Sequence, residues 1–124
     1  MFKMAHILVV DDSPTETHII STTLEKQGHK ISTAVDGKDG VEKATEIKPD
    51  LILMDVVMPE LNGFQATRQL NKQDSTAHIP VIMVTTKDQK TDKMWAERQG
   101  AKGYITKPFV ADDLIQEVNR LLLS

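Results

Sequence analysis

Five short apolar runs recur along the chain and alternate with longer segments that have a helical pattern. The runs are ILVV at 7–10, ISTAV at 31–35, LILM at 51–54, VIMV at 81–84 and GYI at 103–105. This alternation indicates strands that are each followed by a helix, an order typical of a parallel sheet covered by helices on both faces. The sequence therefore predicts a doubly wound α/β fold with five strands and five helices.

Capping signals place the helices between these strands. Ser13, Pro14 and Glu16 supply an N-cap serine, a proline in the first turn and a capping-box glutamate, and Gly28 ends this first helix. The other helices are predicted near 38–47 after an Asp36-Gly37 turn, from Gly63 to about 73, from a cap at Asp88 to about 99, and over 110–123. Pro59 is predicted to turn the chain after the third strand, and the leucines at 121–123 are predicted to be core.

The size and charge of the chain limit which classes of protein it can belong to. A length of 124 residues suits one domain, predicted over 1–124 with no effector domain. The net charge of −3 and the lack of a lysine and arginine cluster argue against binding to nucleic acid. The chain has no cysteine, no signal peptide and no apolar stretch long enough to insert in a membrane. We therefore expect a cytoplasmic protein.

Four of the five predicted strands lead directly into polar residues that can do chemistry. They are Asp11 and Asp12 after the first strand, Asp55 after the third, Thr85 after the fourth and Lys107 after the fifth. In such a sheet the carboxyl ends of the strands lie at one edge, where ligands bind. Each residue alone has an ordinary structural explanation, such as an acid that favours a helix N-terminus or a threonine that favours a strand. Their joint arrangement indicates a site.

The chemistry that suits these five residues is the transfer of a phosphoryl group to a carboxylate. Clustered carboxylates repel one another and favour Mg²⁺, which takes one or two carboxylates together with phosphate oxygens. Asp55 is the preferred nucleophile because its strand should be central, whereas Asp11 and Asp12 form a metal-holding pair. The Thr85 hydroxyl and the Lys107 ammonium can each contact a phosphoryl oxygen, since catalysis of this reaction consists mainly of positioning and charge neutralisation.

Four segments of the chain resemble the receiver domain of two-component response regulators: VVDDS at 9–13, LILMDVVMPELNG at 51–63, VIMVTT at 81–86 and GAKGYITKPF at 100–109. The resemblance covers essentially the whole chain. It implies a flavodoxin-like, CheY-like (βα)5 fold with the strand order 2-1-3-4-5. It also implies that a histidine kinase phosphorylates Asp55, and that Mg²⁺ is bound by Asp11, Asp12, Asp55 and the backbone carbonyl of Val57.

The same resemblance assigns roles to the remaining residues. Thr85 and Lys107 are expected to contact the phosphoryl group, Tyr104 to change rotamer in response, and the Lys107-Pro108 bond to be cis. Catalysis beyond self-phosphorylation and autodephosphorylation is not expected. Trp95 has two interpretations, a packed core residue, which is favoured by Met94 and Arg98 at helical spacing, or a contact to a partner.

A narrower similarity concerns the stretches ELNGFQATRQL and TTKDQKTDKMWAERQG, which are similar to PilH-type single-domain regulators of twitching motility. This similarity implies a chemotaxis-like histidine kinase as phosphoryl donor and a role in type IV pilus control. Output is expected through a downstream protein that binds the surface of the fourth helix, fifth strand and fifth helix, with the chain itself a monomer. Two alternatives stay open: a phosphate sink that competes for the kinase, and a binding module that works without phosphorylation.

Two other classes use a similar sheet. A hydrolase of the haloacid dehalogenase kind has two acids separated by one residue after its first strand, whereas Asp11 and Asp12 are adjacent. A flavodoxin-like flavin binder needs donors for the FMN phosphate after the first strand, where this chain has acids instead. The sequence therefore favours the phosphoryl-accepting regulator over both.

Overall fold

The strands form a single five-stranded parallel sheet in the computed structural model, which describes residues 4–58 and 61–123. The strands are β1 (His6–Val10), β2 (Lys30–Ala34), β3 (Leu51–Met54), β4 (Val81–Thr85) and β5 (Gly103–Thr106). Their order is β2-β1-β3-β4-β5, so β3 is central. The predicted fold class and strand order are confirmed, and each strand boundary lies within one residue of the prediction.

One helix follows each strand: α1 (Pro14–Glu25), α2 (Gly37–Ile47), α3 (Gly63–Lys72), α4 (Lys90–Arg98) and α5 (Ala111–Leu122). Three N-caps act through their side chains, because Ser13, Asp36 and Asn62 each accept a hydrogen bond from the backbone N–H three residues on. After α1 the chain turns through Gly28, whose φ of 93° lies in the left-handed region that favours glycine.

Some details of the helices differ from the predictions. The N-cap of α4 is Gln89 rather than Asp88, and its N–H donates to the Asp92 carboxylate at 3.3 Å. Leu123, the last of the three leucines predicted to be core, is 61% exposed, whereas the two before it are half-buried against the sheet. The turn predicted at Pro59 lies outside the described residues.

The sheet is covered on both faces, which explains why its three inner strands, β1, β3 and β4, are apolar at nearly every position. Helices α1 and α5 cover one face through the buried residues Ile20, Leu24, Leu114 and Val118. Helices α2, α3 and α4 cover the other through Val41, Ala44, Ala66, Leu70 and Ala96. Successive residues of β1 and β3 alternate between these two clusters, since side chains of a strand point to opposite faces in turn. The sheet is thus a fixed platform for the groups at its edge.

None of the helices within the described residues is long and apolar enough to cross a membrane.

Candidate functional site

The predicted site residues lie at the carboxyl edge of the sheet. Asp11 and Asp12 follow β1, Asp55 follows β3, Thr85 is the last residue of β4, and Lys107 follows β5. The parallel pairing of β1 with β3 and of β3 with β4 and β4 with β5 carries these residues to the same end. The structure brings the three predicted carboxylates and the lysine into one cluster.

Asp11, Asp12 and Asp55 form the acidic part of this cluster. One carboxylate oxygen from each lies within 4.8 Å of the others. Asp11 and Asp55 are buried, at 4% and 8% exposure, whereas Asp12 is exposed. Backbone hydrogen bonds fix the two strand ends relative to each other, since the Asp55 N–H donates to the Val10 carbonyl at 2.9 Å. The cluster is therefore open to solvent on the side of Asp12 and closed on the side of the strands.

Lys107 supplies the positive charge of the site. Its ammonium is nearly buried and lies 3.0 Å from Asp11 Oδ2 and 3.8 Å from Asp55 Oδ1. It also contacts the Glu16 carboxylate directly. Burial alone lowers the pKa of Lys107, but the hydrogen bonds to Glu16 and Asp11 and the nearby Asp55 charge outweigh it, so this pKa lies above its usual value. Lys107 therefore keeps its positive charge at neutral pH. The Lys107-Pro108 bond is cis, as expected.

The Asp55 carboxyl group has a raised pKa. Burial raises the pKa of Asp55 to about 6, because the Lys107 ammonium and a hydrogen bond from Val57 compensate only in part, while Asp11 adds to the rise. The Val57 N–H lies 3.4 Å from Asp55 Oδ1, and the Val57 side chain is 56% exposed. A positive charge placed next to Asp55 would stabilise its ionised form and so lower this pKa.

Gly63 holds the segment after Asp55 in place. Its N–H donates to the Val56 carbonyl at 3.0 Å. A Cβ atom on Gly63 would lie 2.1 Å from the Asp55 carbonyl oxygen and 2.8 Å from Val56 Cα, so only glycine permits this close approach of the start of α3 to the backbone of Asp55. The glycine predicted from sequence as a helix start therefore also positions the site.

Glu16 belongs to the site, although its spacing from Ser13 predicts only a capping role. The Ser13 N–H, which a capping-box glutamate would bind, donates instead to Asp11 Oδ1 at 2.8 Å. The capping-box prediction is wrong for this reason, and the Glu16 carboxylate reaches Lys107. Its position one turn after Asp12, on the helix that follows the acidic pair, is the sequence signal that points to this role.

Thr85 is fully buried, and its hydroxyl is turned toward the next loop. The Lys87 N–H donates to Thr85 Oγ1 at 3.3 Å, and the Lys107 N–H donates to the Thr85 carbonyl at 2.7 Å. Thr85 therefore connects the backbone of β5 to the loop between β4 and α4. Its hydroxyl sits at the same sheet edge as the acidic cluster.

Tyr104 lies on β5 and is tied to the same loop. Its hydroxyl donates to the Lys87 carbonyl at 2.7 Å, and the Lys93 ammonium lies 6.0 Å from the centre of its ring. Burial, with the Asp92 and Asp88 charges, raises the pKa of Tyr104 to about 12. The Thr85 side chain thus binds the backbone N–H of Lys87, and the Tyr104 side chain binds its backbone carbonyl.

Trp95 is not packed in the core. Its side chain is 49% exposed, so the favoured interpretation from sequence is wrong, and contact with a partner stays a prediction. Lys93 and Glu97 face β5 and α5, where they line a cavity with Tyr104. Trp95 is two residues from each, and residues two apart lie on opposite sides of an α-helix. Trp95 therefore lies on the side of α4 away from Tyr104.

The residues of the cluster fit a magnesium ion. Asp11, Asp12, Asp55 and Glu16 together carry four negative charges when ionised, against the one positive charge of Lys107. Such a surplus of hard oxygen donors at an open sheet edge is what a divalent cation with retained waters requires. Asp11, Asp12 and Asp55 offer the carboxylate oxygens, and the donor chemistry is that of Mg²⁺ rather than of a softer metal.

Comparison with known sequences identifies the family. Residues 7–119 match the response regulator receiver domain. Protein PilH of Pseudomonas aeruginosa is 57% identical over 119 residues, which cover 96% of this chain and 98% of PilH.

Solved structures agree with this match. The chemotaxis response regulator CheY4 of Vibrio cholerae is 33% identical, with a TM-score of 0.91 and coverage of 97% of this chain and 100% of that one. The receiver domain of a sensor histidine kinase of Pseudomonas aeruginosa is 30% identical, with a TM-score of 0.90 and coverage of 98% and 100%, and has a magnesium ion coordinated in its active-site cleft. The chain belongs to the response regulator receiver domain family.

Proposed function

We propose that this protein is a stand-alone response regulator that receives a phosphoryl group on Asp55 from a histidine kinase. The observation that carries the proposal is the position of the Asp55 carboxyl group, which is buried at the end of the central strand, next to the acidic pair and 3.8 Å from the Lys107 ammonium. A carboxylate in this position combines a nucleophilic oxygen with groups that neutralise the incoming phosphoryl oxygens.

The transfer step uses Asp55 as the nucleophile. A carboxylate oxygen of Asp55 attacks the phosphorus of the donor phosphohistidine, a new P–O bond forms as the P–N bond breaks, and the electron pair of that bond stays with the imidazole. The Lys107 ammonium, 3.8 Å from Asp55, and the Thr85 hydroxyl neutralise and orient phosphoryl oxygens. Hydrolysis of the acyl phosphate by water returns the carboxylate and releases inorganic phosphate.

Magnesium is the cofactor that this site would take. Asp11, Asp12, Asp55 and the backbone carbonyl of Val57 would hold it. When bound, the ion neutralises charge on the phosphoryl oxygens and lowers the repulsion between the carboxylates. Asp12, which is exposed, lies at the entrance to the cluster, whereas the buried Asp11 also binds the Ser13 N–H and Lys107 and is thereby held in a single orientation.

The signal would leave the site through Thr85 and Tyr104. Movement of the Thr85 hydroxyl toward a phosphoryl oxygen breaks its bond with the Lys87 N–H, and the Tyr104 hydroxyl is bound to the same residue. The two events together displace the loop before α4. We propose that a downstream protein reads the resulting change on the surface formed by α4, β5 and α5, by a shift of population between two conformations.

The similarity to PilH supports a more specific role. Identity of 57% over nearly the full length of both chains supports a PilH-type regulator in type IV pilus control and twitching motility. The phosphoryl donor would then be a chemotaxis-like histidine kinase. Residues 1–124 would act as one receiver domain that signals by binding.

Phosphorylation is tested by incubating the protein with Mg²⁺ and acetyl phosphate and measuring its intact mass. We expect an adduct of one phosphoryl group that requires Mg²⁺ and is absent from Asp55→Asn. Asp74→Asn, which changes an exposed aspartate after α3, is the matched control and should be phosphorylated like the wild type. An adduct that persists in Asp55→Asn, or that forms equally in EDTA, would exclude the mechanism.

A further inference from the structure

Glu16 and Lys107 form an ion pair that the phosphoryl transfer itself does not require. The Lys107 ammonium contacts the Glu16 carboxylate directly and Asp11 Oδ2 at 3.0 Å, but it stays 3.8 Å from Asp55 Oδ1, beyond hydrogen-bond distance. The ammonium is therefore bound toward α1 rather than to the residue that receives the phosphoryl group. Glu16 and Asp11 occupy two of the three donors of the ammonium, so a shift of Lys107 toward a phosphoryl group on Asp55 draws it away from Glu16.

The start of α1 explains why Glu16 is available. A glutamate at the third position of a helix ordinarily reaches back to the backbone N–H of the N-cap residue. Here Asp11 Oδ1 occupies the Ser13 N–H, so the Glu16 side chain is free to extend across the edge of the sheet to Lys107. The arrangement depends on Asp11, which binds the N-cap with one oxygen and Lys107 with the other.

We propose that Glu16 is a positioning residue that competes with the phosphoryl group for Lys107. In the resting protein Glu16 holds the ammonium away from Asp55, and on phosphorylation Lys107 exchanges the Glu16 carboxylate for a phosphoryl oxygen. The proposal rests on the proposed function of Asp55. Because the Glu16–Lys107 pair has to break when Lys107 binds the phosphoryl group, its free energy is subtracted from the stability of the phosphorylated state. Glu16 therefore sets how readily the protein is activated.

The surroundings of Glu16 permit this exchange. Its side chain is 40% exposed, so water can replace Lys107 as its partner, whereas the Lys107 side chain is only 8% exposed and stays inside the site. Glu16 and Lys107 also line a cavity of about 190 Å³ with Ile19, Ile20 and Phe109. Release of Glu16 therefore changes the surface between α1 and the loop before α5, which gives the exchange a second observable next to Ile19, whose side chain is 51% exposed.

The test compares wild type with Glu16→Gln and Glu16→Asp. Glutamine removes the charge, whereas aspartate keeps the charge but shortens the side chain by one C–C bond, about 1.5 Å, so that it no longer reaches Lys107. The probe is beryllium trifluoride with Mg²⁺, a stable analogue of a phosphoryl group on a carboxylate. Its affinity is measured by NMR titration, together with the signals of the Lys107 ammonium and the Ile19 methyl groups. Glu25→Gln, an exposed acid at the end of α1, is the control.

We expect both Glu16 variants to bind the analogue more tightly than wild type by roughly two- to fivefold, the ratio that an ion pair of this exposure contributes. The Lys107 signal should differ between wild type and the variants in the resting protein but coincide once the analogue is bound, because Lys107 has then left Glu16. Glu25→Gln should match wild type throughout.

Two results would overturn the role of Glu16 while leaving Asp55 as the phosphoryl acceptor. In one, Glu16→Asp binds like wild type and only Glu16→Gln binds more tightly, which would be an effect of net charge. In the other, Lys107 signals and affinities are the same in all proteins. If instead wild type fails to bind the analogue with Mg²⁺, the proposed function itself is wrong, and the role of Glu16 is overturned with it.

Discussion

Helices α1 and α4 both begin at the carboxyl edge of the sheet, but they are attached to it very differently. Helix α1 follows β1 and buries Ile20 and Leu24, which are 2% and 0% exposed. Helix α4 follows β4, and of its nine residues, all in the described part of the chain, Ala96 alone is buried. Met94 and Trp95, the large apolar residues of α4, are 48% and 49% exposed. Burial of apolar area thus holds α1 far more strongly than α4.

This difference divides the site into a fixed half and a movable half. Asp11, Asp12 and Glu16 lie at the end of β1 and the start of α1, so the core beneath holds their backbone, and only side-chain contacts such as Glu16–Lys107 exchange there. Thr85 and Tyr104 instead act on the loop that leads into α4, through single hydrogen bonds to Lys87. Regions with few buried apolar contacts open at low free energy. We infer that the first half responds by exchange of side-chain contacts on a fixed backbone, whereas in the second half the backbone itself moves.

The largest expected effect tests this division directly. Leu24→Ala should lower the free energy of unfolding by about 3 kcal/mol, since it leaves a cavity beneath α1. Met94→Ala, which truncates an exposed side chain of α4, should change it by less than about 0.5 kcal/mol. Urea denaturation followed by circular dichroism measures both. Equal losses in the two variants would mean that α4 is held as firmly as α1.

A second prediction concerns the link between the halves and rests on the proposed function. Thr85→Val keeps the shape of the side chain but removes the hydroxyl that accepts from the Lys87 N–H. Affinity for beryllium trifluoride with Mg²⁺ should fall about tenfold, which corresponds to one hydrogen bond to a charged group. NMR shifts of the α4 amides on binding should also become smaller than in wild type.

The neighbouring threonine provides the control for this variant. Thr86 is exposed, so Thr86→Val makes the same chemical change one residue outside the buried site. It should bind the analogue like wild type. If Thr86→Val weakens binding as much as Thr85→Val does, the hydroxyl of Thr85 has no special part in the response.

The sequence predicts the fixed half of the molecule better than the movable one. The apolar runs determine the five strands, and because parallel strands bring their carboxyl ends together, the residues that follow them were predicted to meet. Asp11, Asp12, Asp55 and Lys107 do so. These predictions succeed since they depend only on the period of the apolar residues and on chain direction.

The misses depend on side-chain competition and on helix orientation, which spacing along the chain does not reveal. Glu16 has the spacing of a capping box, but Asp11 takes the backbone N–H that it would bind. Trp95 is apolar and near Met94, yet α4 is anchored through the small Ala96, so its large side chains face outward. In the first case Asp11 makes the hydrogen bond that the capping rule assigns to Glu16, and in the second Ala96 takes the buried position that the apolar pattern assigns to Trp95.

A smaller effect should be visible in the titration of Tyr104, the single tyrosine of the chain. Its pKa is raised from 10.0 to about 12, chiefly by burial. Because the folded state favours the protonated form, the stability linked to Tyr104 is complete below pH 10 and is lost as the pH rises toward 12. The absorbance of tyrosinate should therefore appear near pH 12 in the folded protein and near its ordinary value in urea. Titration near pH 10 with the fold intact would place the Tyr104 ring in water instead.

The smallest expected effect is a pH dependence of stability that comes from His29, at the far end of α1. It tests how α1, in contrast to α4, is attached to the rest of the protein. His29 follows α1, is 5% exposed and accepts a hydrogen bond from the Ala5 N–H through Nδ1 at 3.0 Å, so the ring must be neutral at that nitrogen. Burial lowers the pKa of His29 below its ordinary 6.5. Above pH 6.5 both folded and unfolded chains hold the neutral ring. As the pH falls below 6.5 the unfolded chain binds a proton first, so stability declines until the folded pKa is passed.

His29→Asn isolates this contribution, since an asparagine oxygen can accept the same hydrogen bond without titrating. All other groups are shared between the two proteins, so the difference between their stabilities as a function of pH reports His29 alone. We expect the free energy of unfolding of wild type to fall relative to that of His29→Asn below pH 6.5 and to run parallel with it above. His78→Asn, at an exposed histidine, controls for the loss of one histidine. Parallel curves for wild type and His29→Asn over the whole acidic range would show that the attachment of α1, like that of α4, does not depend on a buried neutral histidine.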